Sequence, residues 1–253
     1  MPTDEILIHL FLIVDERLGN IKKRPDASLY ASEIVTLGLF FSLKGGRYRA
    51  FYRWLAANYG QWFPKLPEVT RLLRLLEEHA DLTESFLAQP TFFSVLDTFG
   101  IELIHPRREG RSPNQIGDKG VSNGRWIVGV KLGWLINDRG EVVDWDWDTA
   151  SAPDNVFRAT AFRYDGQTVA LCDFGLRAKG EPQRNLKFCP RGRWNERFTV
   201  ETDFSWLTEL LHAKKMYHRS EAYLVARFQY LAALFNCLLR ITEGKRSLLQ
   251  FVI

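Results

Sequence analysis

Two apolar runs of strand-forming residues each lead directly into an aspartate, and this feature constrains the fold more than any other. Residues 92–96 precede Asp97, and residues 168–172 precede Asp173. Burying a carboxylate is costly unless it is paired or binds a cation, so an aspartate in this position is unusual. Because side chains alternate along a strand, each aspartate shares a face with apolar residues before it. If the two strands are neighbours, we expect both carboxylates to meet at one edge of a sheet.

A third carboxylate belongs to a segment with helical spacing. Apolar side chains recur every three or four positions within residues 194–216, and Glu201 lies at the border of that stripe, one turn after Arg197. This position lets Glu201 lean toward the strand carboxylates. Oxygen ligands without nearby His or Cys favour Mg²⁺, with Mn²⁺ as the alternative. Two such ions roughly 3.5–4 Å apart can activate a water and stabilise the leaving oxygen of a phosphodiester.

The sequence pattern changes near residue 90. Residues 4–88 have helical spacing, whereas strand-like runs and a strong hairpin signal follow Pro90. We expect strands at 91–97, 99–104, 125–136, 141–149 and 168–173, and helices at 154–162, 194–216 and 220–241. This order predicts an α/β fold with a mixed sheet flanked by helices. We expect an all-α N-terminal domain at 1–90 and a catalytic domain at 91–253.

Size and composition are those of an ordinary globular protein. The chain has 253 residues, of which 46% are hydrophobic and 25% charged. No apolar run approaches the ~18 residues that span a bilayer, so we expect a cytoplasmic protein. Cys172, Cys189 and Cys237 are widely spaced in apolar stretches, which indicates reduced core thiols rather than zinc ligands.

Positive charge is unevenly placed. Residues 1–90 hold eleven basic and eleven acidic residues, whereas seven basic residues and two acidic ones lie between Asp173 and Glu201. That loop is either a solvated surface or a surface for a polyanion lying across the carboxylates. A second basic cluster surrounds the Gly-Gly turn at 45–46. Its members are Lys44, Arg47, Arg49 and Arg53.

Two structures are compatible with this basic turn. Short helices joined by a glycine turn resemble a helix-turn-helix, which would bring Arg47 and Arg49 to DNA. A helical hairpin with a basic solvent face is the other interpretation. No acidic residue occurs from position 34 to 67, and we favour DNA binding.

Other carboxylates have simpler interpretations. Asp144, Asp146 and Asp148 alternate with tryptophans, as expected for the solvated face of an edge strand. Asp154 follows a proline and is expected to cap a helix. The sequence has no phosphate-binding loop, dinucleotide fingerprint or serine nucleophile motif, so it offers no support for those enzyme classes.

Across residues 91–240 the chain resembles the DDE transposases of bacterial insertion sequences, which have an RNase H-like catalytic domain. Four motifs carry the resemblance. They are the glycine-containing hairpin from Gly129 to the region of Asp154, Cys172-Asp173-Phe174-Gly175, the Trp194/Arg197/Glu201/Phe204/Leu207 signature, and the basic run Lys214-Lys215-x-x-His218-Arg219. Three positions depart from the family pattern: Trp194 replaces a tyrosine, Thr208 a lysine and Leu176 a tyrosine.

The resemblance implies a function. Asp97, Asp173 and Glu201 would hold Mg²⁺, so that water cuts DNA at an element end and the freed 3′-hydroxyl then attacks target DNA. Residues Arg197, Lys214, Lys215 and Arg219 would contact DNA. The expected partners are double-stranded DNA carrying terminal inverted repeats, target DNA and a second copy of the chain, in a nucleoid-associated homodimer of a prokaryotic cell. An RNase H-like nuclease or resolvase, and an inactive domesticated transposase that only binds DNA, are the alternatives.

Overall fold

A computed structural model of the chain describes residues 1–122, 124–180, 182–190, 205 and 208–243. Over these residues the fold is mixed α/β, with a mixed sheet flanked by helices, which confirms the expected class at this level. The helices are α1 (Thr3–Leu18), α2 (Ala31–Lys44), α3 (Tyr48–Tyr59), α4 (Val69–Glu78), α5 (Arg158–Phe162) and α6 (Glu221–Ile241). Short 3₁₀ turns lie at Ala80–Phe86, Pro106–Arg108, Asp154–Phe157 and Phe174–Leu176. The strands are β1 (Phe93–Ile104), β2 (Asp118–Ser122), β3 (Arg125–Asn137), β4 (Val142–Thr149), β5 (Val169–Cys172) and β6 (Leu186–Phe188).

The chain divides into two units. The first contains the described residues of Met1–Phe86, Leu210–His212 and Ser220–Ile253. The second contains those of Leu87–Glu209 and Ala213–Arg219. The N-terminal boundary thus falls four residues before the expected position at 90, but the C-terminal helix lies in the first unit.

Helix α6 belongs to the first unit, whereas the sequence assigned it to the domain at 91–253. A Cβ added at Gly38 in α2 would overlap the Tyr230 ring of α6. The Tyr230 hydroxyl also donates a hydrogen bond to the Leu76 carbonyl (2.8 Å). Both α2 and α6 are apolar on nearly every face, so each buries those faces against other helices. The N-terminal helices are therefore completed by a helix from the far end of the chain.

By length and composition, α6 is also the one described helix that could cross a membrane. However, 72% of its most apolar window is buried inside the structure. Such burial is the usual environment of a core helix.

The sheet of the second unit is mixed around β1. On one side β1 pairs antiparallel with β3, which pairs along its other edge with β4 and β2, both antiparallel. On the other side β1 pairs parallel with β5, and β5 with β6. Thus β1 lies inside the sheet, and one of its faces packs on α5 and the 3₁₀ turn before it through Leu96, Leu135, Phe157, Ala161 and Cys172.

Two expected strands are one strand in the structure. Residues 93–104 form β1 without a break, and Asp97 and Thr98 pair with Trp134 and Gly133 of β3. Asp97 therefore lies within a strand and not at its end, because β3 is long enough to pair with both runs. The expected hairpin at 125–149 is present. Its turn is stabilised by the Asn137 side chain, which accepts hydrogen bonds from Arg139 N (3.0 Å) and Glu141 N (2.9 Å).

The helix expected at 194–216 is wrong for its last part. Most of that range lies outside the described residues, but Ala213–Arg219 is described and is not helical. Glu102 N in β1 donates to Lys214 O (3.0 Å), and Met216 N donates to Glu102 O (2.9 Å). The backbone N–H and C=O of Glu102 in β1 need hydrogen-bond partners. This segment supplies them, and these hydrogen bonds take the place of those of a helix.

Candidate metal-binding carboxylates

Asp97 projects from β1 next to a well-packed sheet. It is half-buried, and its Oδ1 accepts a hydrogen bond from Thr98 N at 2.8 Å. The residues two positions away on either side, Val95 and Phe99, are buried, and so is Trp134, its partner on β3. Apolar packing on three sides fixes the backbone of Asp97 and lowers the local dielectric around its carboxylate.

Asp173 directly follows β5 and holds the turn that ends the strand. Its backbone is extended, and its Oδ1 accepts a hydrogen bond from Gly175 N at 2.8 Å. A Cβ at Gly175 would lie 2.9 Å from that oxygen, so a larger residue here would have to displace the carboxylate. The presence of Gly175 two residues after Asp173 is thus explained by this close contact. Asp173 has no ion-pair partner among the residues that the structure describes.

The strand register relates the two aspartates. Val95 of β1 is opposite Leu171 of β5, and the pairing is parallel. Asp97 and Asp173 each follow two residues later, and the backbone of Asp173 is still extended, so continuing the register past the end of β5 would give them equivalent positions on one face. Adjacent strands are about 4.8 Å apart, which brings the two carboxylates to one level of the sheet. The expected meeting of these side chains is therefore compatible with the observed register.

The thiol of Cys172 lies close enough to both carboxylates to respond to their charges. Burial, followed by the charge of Asp173, raises the pKa of Cys172 to about 12, and the charge of Asp97 acts in the same direction. Cys172 is free and fully buried, and the thiols of Cys189 and Cys237 are also unbridged.

The third expected ligand cannot be placed. Glu201 and Arg197 both lie outside the described residues. Over the part of the chain that is described, no group of three or more His, Cys, Asp or Glu side chains has the geometry of a metal site. Two carboxylates alone suit a hard cation such as Mg²⁺, which takes one or two protein carboxylates and otherwise keeps water. The described donors are therefore of the right chemical type but incomplete.

A neighbouring ion pair was not foreseen from the sequence. Lys131 Nζ donates to Asp154 Oδ1 (2.8 Å) and to Ala152 O (2.7 Å). Asp154 Oδ2 lies 3.4 Å from the position of a Cβ at Gly175, so this pair borders the turn held by Asp173. Asp154 had been expected to cap a helix, but its side chain instead binds the lysine of β3. Alternation along β3 places Lys131 on the face toward α5, and this is the one sequence signal that suggests the pair.

The alternating aspartates of β4 have basic and backbone partners. Arg163 of α5 contacts Asp144 (Nε–Oδ2 2.7 Å) and Asp146 (Nη1–Oδ2 3.5 Å). Asp148 Oδ1 accepts a hydrogen bond from Thr149 N. Among the described strands β4 pairs with β3 alone, so it is an edge strand as expected, but its aspartates are only partly exposed and do not form a fully solvated face.

The expected DNA-contacting residues are exposed where they are described. Lys214, Lys215 and Arg219 are exposed, and Lys215 Nζ forms an ion pair with Glu102 Oε1 (2.5 Å). In the first unit, Arg47 and Arg49 are exposed at the start of α3.

The turn before α3 has the geometry its glycines predict. Gly45 and Gly46 have positive φ angles of 69° and 75°. The preceding helix α2 is almost wholly buried, so α3 supplies the exposed basic face. Lys44 lies over the Trp54 ring at 4.5 Å, so its charge is already engaged.

No protein-family model matches the chain, and neither a curated protein nor a solved structure matches it.

Proposed function

We propose that the protein is a Mg²⁺-dependent DDE transposase with an RNase H-like catalytic domain. The observation that carries this proposal is the parallel register between β1 and β5, which relates Asp97 to Asp173. A sheet that is antiparallel on one side of its carboxylate-bearing strand and parallel on the other is compatible with an RNase H-like domain. The motif around Glu201 supplies the third carboxylate by resemblance.

The described residues suit the positioning of a phosphodiester. Asp97 accepts a hydrogen bond from Thr98 N on β1 and Asp173 one from Gly175 N after β5, so each carboxylate is oriented by the backbone beside it. Magnesium ions, when bound there, would activate the attacking oxygen and stabilise the leaving oxygen. In the first reaction a water attacks phosphorus and the 3′-oxygen leaves as a hydroxyl. In the second, that hydroxyl attacks target DNA and a new 3′-oxygen leaves.

Exposed cations near the second aspartate suit binding of the DNA backbone. Arg177 and Lys179 follow the Asp173 turn, Lys187 lies on β6, and all three are exposed. Lys214 and Arg219 are exposed on the segment beside β1. Such side chains neutralise phosphates and release counterions, which makes binding weaker as salt rises. The opposing charge of Glu102 reduces the expected contribution of Lys215.

A cleavage assay with Mg²⁺ tests the proposal. Duplexes that carry the DNA flanking the gene, and arbitrary duplexes, are incubated with the protein and with Asp97→Asn, Asp173→Asn and Glu201→Gln. Each variant removes one ligand charge with little change of shape, so each is expected to lose cleavage and keep DNA binding. Near wild-type cleavage by any variant contradicts the assigned triad. Cleavage without strand transfer or end preference favours a nuclease or resolvase, and binding without cleavage by the wild type favours an inactive DNA-binding transposase.

A further inference from the structure

An exposed surface of mixed aromatic and basic character lies on the hairpin of β2 and the start of β3. We call it the ribbon surface, and it consists of Lys119, Val121 and Trp126 on one face, with Arg125 exposed beside them at the hairpin tip, where it pairs with Ser122. Val121 and Trp126 face each other across the two strands, and they are 49% and 62% exposed. Exposed apolar surface that is contiguous and rimmed by polar residues is a mark of an interaction site.

The other face of the hairpin is anchored, which is why the ribbon surface faces solvent. A Cβ at Gly100 of β1 would overlap the Ser122 side chain and lie 3.1 Å from Ile127. A Cβ at Gly120 would overlap the Ala150 carbonyl. The hairpin therefore packs against β1 with one face. Because side chains alternate along a strand, Trp126 lies on the opposite face, which is exposed to solvent.

The surroundings of this surface are strongly basic. Residues 105–126 contain five Lys or Arg residues and two acidic ones. Lys119 Nζ lies 5.4 Å from the centroid of the Trp126 ring, and it also contacts Glu109 (3.7 Å). Through Glu109 the preceding loop is held beside the hairpin, and its exposed arginines are Arg107, Arg108 and Arg111. This charge is complementary to a polyanion.

The distance to the carboxylates suits one continuous ligand. Trp126 precedes Trp134 by eight positions along β3, and Trp134 pairs with Asp97. At about 3.3 Å per residue the separation is at most about 26 Å, which is less than one helical turn of DNA, about 34 Å. A duplex that reaches both Asp97 and Trp126 therefore needs no second protein domain to connect them.

We propose that the ribbon surface binds duplex DNA in its major groove. A two-stranded β-ribbon fits a groove about 12 Å wide. Trp126 and Val121 make apolar contacts with base edges such as thymine methyl groups, and Lys119 and Arg125 bind the flanking phosphates. The proposal rests on the proposed function, because it assumes that the second unit acts on DNA.

Anisotropy of a labelled duplex of about three helical turns, titrated with full-length protein at several salt concentrations, tests this proposal. Trp126→Ala is expected to raise Kd about tenfold or more with an unchanged salt slope, since apolar burial is lost. Trp126→Phe is expected to stay within about threefold, because most of that burial is kept. The pair Lys119→Gln/Arg125→Gln is expected to reduce the salt slope by about 1 to 2, because Glu109 partly offsets the charge of Lys119. Phe92→Ala is the matched control, since Phe92 is 82% exposed just before β1 and away from the ribbon surface.

The outcomes separate this proposal from the proposed function. Wild-type affinity in Trp126→Ala overturns the ribbon proposal, as does an equal loss in Phe92→Ala or tighter binding of the single strand than of the duplex. If circular dichroism shows that Trp126→Ala is misfolded, the variant Lys119→Gln/Arg125→Gln is used in its place. An unchanged salt slope in that variant overturns the proposal. If Asp97→Asn still cleaves DNA while Trp126→Ala binds weakly, the proposed function fails and the ribbon proposal stands. A wild type that binds no duplex overturns both.

Discussion

Asp97 and Asp173 each follow by two residues the pair Val95 and Leu171, which are opposite each other in the parallel register of β1 and β5. Two carboxylates that meet at equivalent positions of neighbouring strands repel each other, and a divalent cation between them removes the repulsion. The fold therefore holds a charge arrangement that a bound cation would stabilise. This relationship leads to a test that does not depend on catalysis.

Magnesium should stabilise the wild-type protein more than a variant without these charges. We expect Mg²⁺ to raise the melting temperature of the wild type, since a ligand that binds the folded state stabilises it by mass action. Asp97→Asn/Asp173→Asn should melt at the same temperature with and without Mg²⁺. Differential scanning fluorimetry across a Mg²⁺ titration measures both, with Asp144→Asn as the carboxylate control. An equal shift in the double variant would assign the cation to another site.

The acidic face of β4 should be irrelevant to turnover. Asp146 contacts Arg163 at 3.5 Å on an edge strand, where an exposed pair contributes little to stability. Asp146→Asn should therefore change stability by less than about 0.5 kcal/mol and leave any cleavage rate near that of the wild type. The rate is measured beside Asp173→Asn under the same conditions. A loss as large as that of Asp173→Asn would move the metal site to β4.

Stability should fall at alkaline pH through the thiol of Cys172. Its folded-state pKa is raised from 9.0 to about 12, so the thiol stays protonated in the folded state and ionises first in the unfolded state. This contribution is fully present below pH 9 and is lost as the pH rises from 9 toward 12, at about 1.4 kcal/mol per pH unit.

Urea unfolding of Cys172→Ala checks this behaviour. The variant should be less stable than the wild type at neutral pH, because a buried sulfur is removed, but its stability should fall less steeply above pH 9. Cys237→Ala in the first unit should reduce the slope in the same way, since burial raises the pKa of Cys237 to about 12 as well. Parallel slopes in Cys172→Ala and the wild type would contradict the assignment.

The close packing of α2 on α6 gives a stability prediction. Gly38→Ala places a methyl group inside the Tyr230 ring, and overpacking in a full core costs about 1–3 kcal/mol. Thermal unfolding measures the loss, and Ala57→Ser on the exposed face of α3 is the control. Gly38→Ala with wild-type stability would show that α2 and α6 are not in this contact.

The C-terminal helix makes a different prediction for fragments. A fragment of residues 87–253 carries α6 without the helices that bury it, so we expect aggregation. A fragment of residues 87–219 lacks that apolar helix and should be more soluble. Size-exclusion chromatography of the two fragments compares them. Equal solubility would indicate that α6 finds a partner within the second unit.

Local pattern predicted β3, β4, β5 and the hairpin, because those depend on alternation and turn chemistry, but it did not predict β2. It failed where the partner was distant in sequence. Nothing in residues 221–241 indicates which apolar neighbours will cover α6, and nothing near Lys131 indicates that Asp154 will be its partner. Likewise, Asp97 seemed to end a strand because its charge interrupts an apolar run. The continuous pairing with β3, which carries the strand past that charge, is a tertiary effect.

End recognition should depend on the basic face of α3. Arg47 and Arg49 are exposed at the start of this helix, whose opposite face is buried through Phe51, Leu55 and Tyr59. If the two arginines reach base edges, Arg47→Ala/Arg49→Ala should weaken binding to DNA that carries the element ends more than to arbitrary duplexes. Each bidentate base contact accounts for about 1–3 kcal/mol of that discrimination. If they touch only phosphate, affinity should fall evenly and the salt slope should shrink by about 2. The matched control is Lys22→Ala/Arg24→Ala, which removes the same charge from exposed positions after α1. An unchanged Kd for every duplex in the α3 variant would make this face a solvated surface and assign end recognition to the second unit.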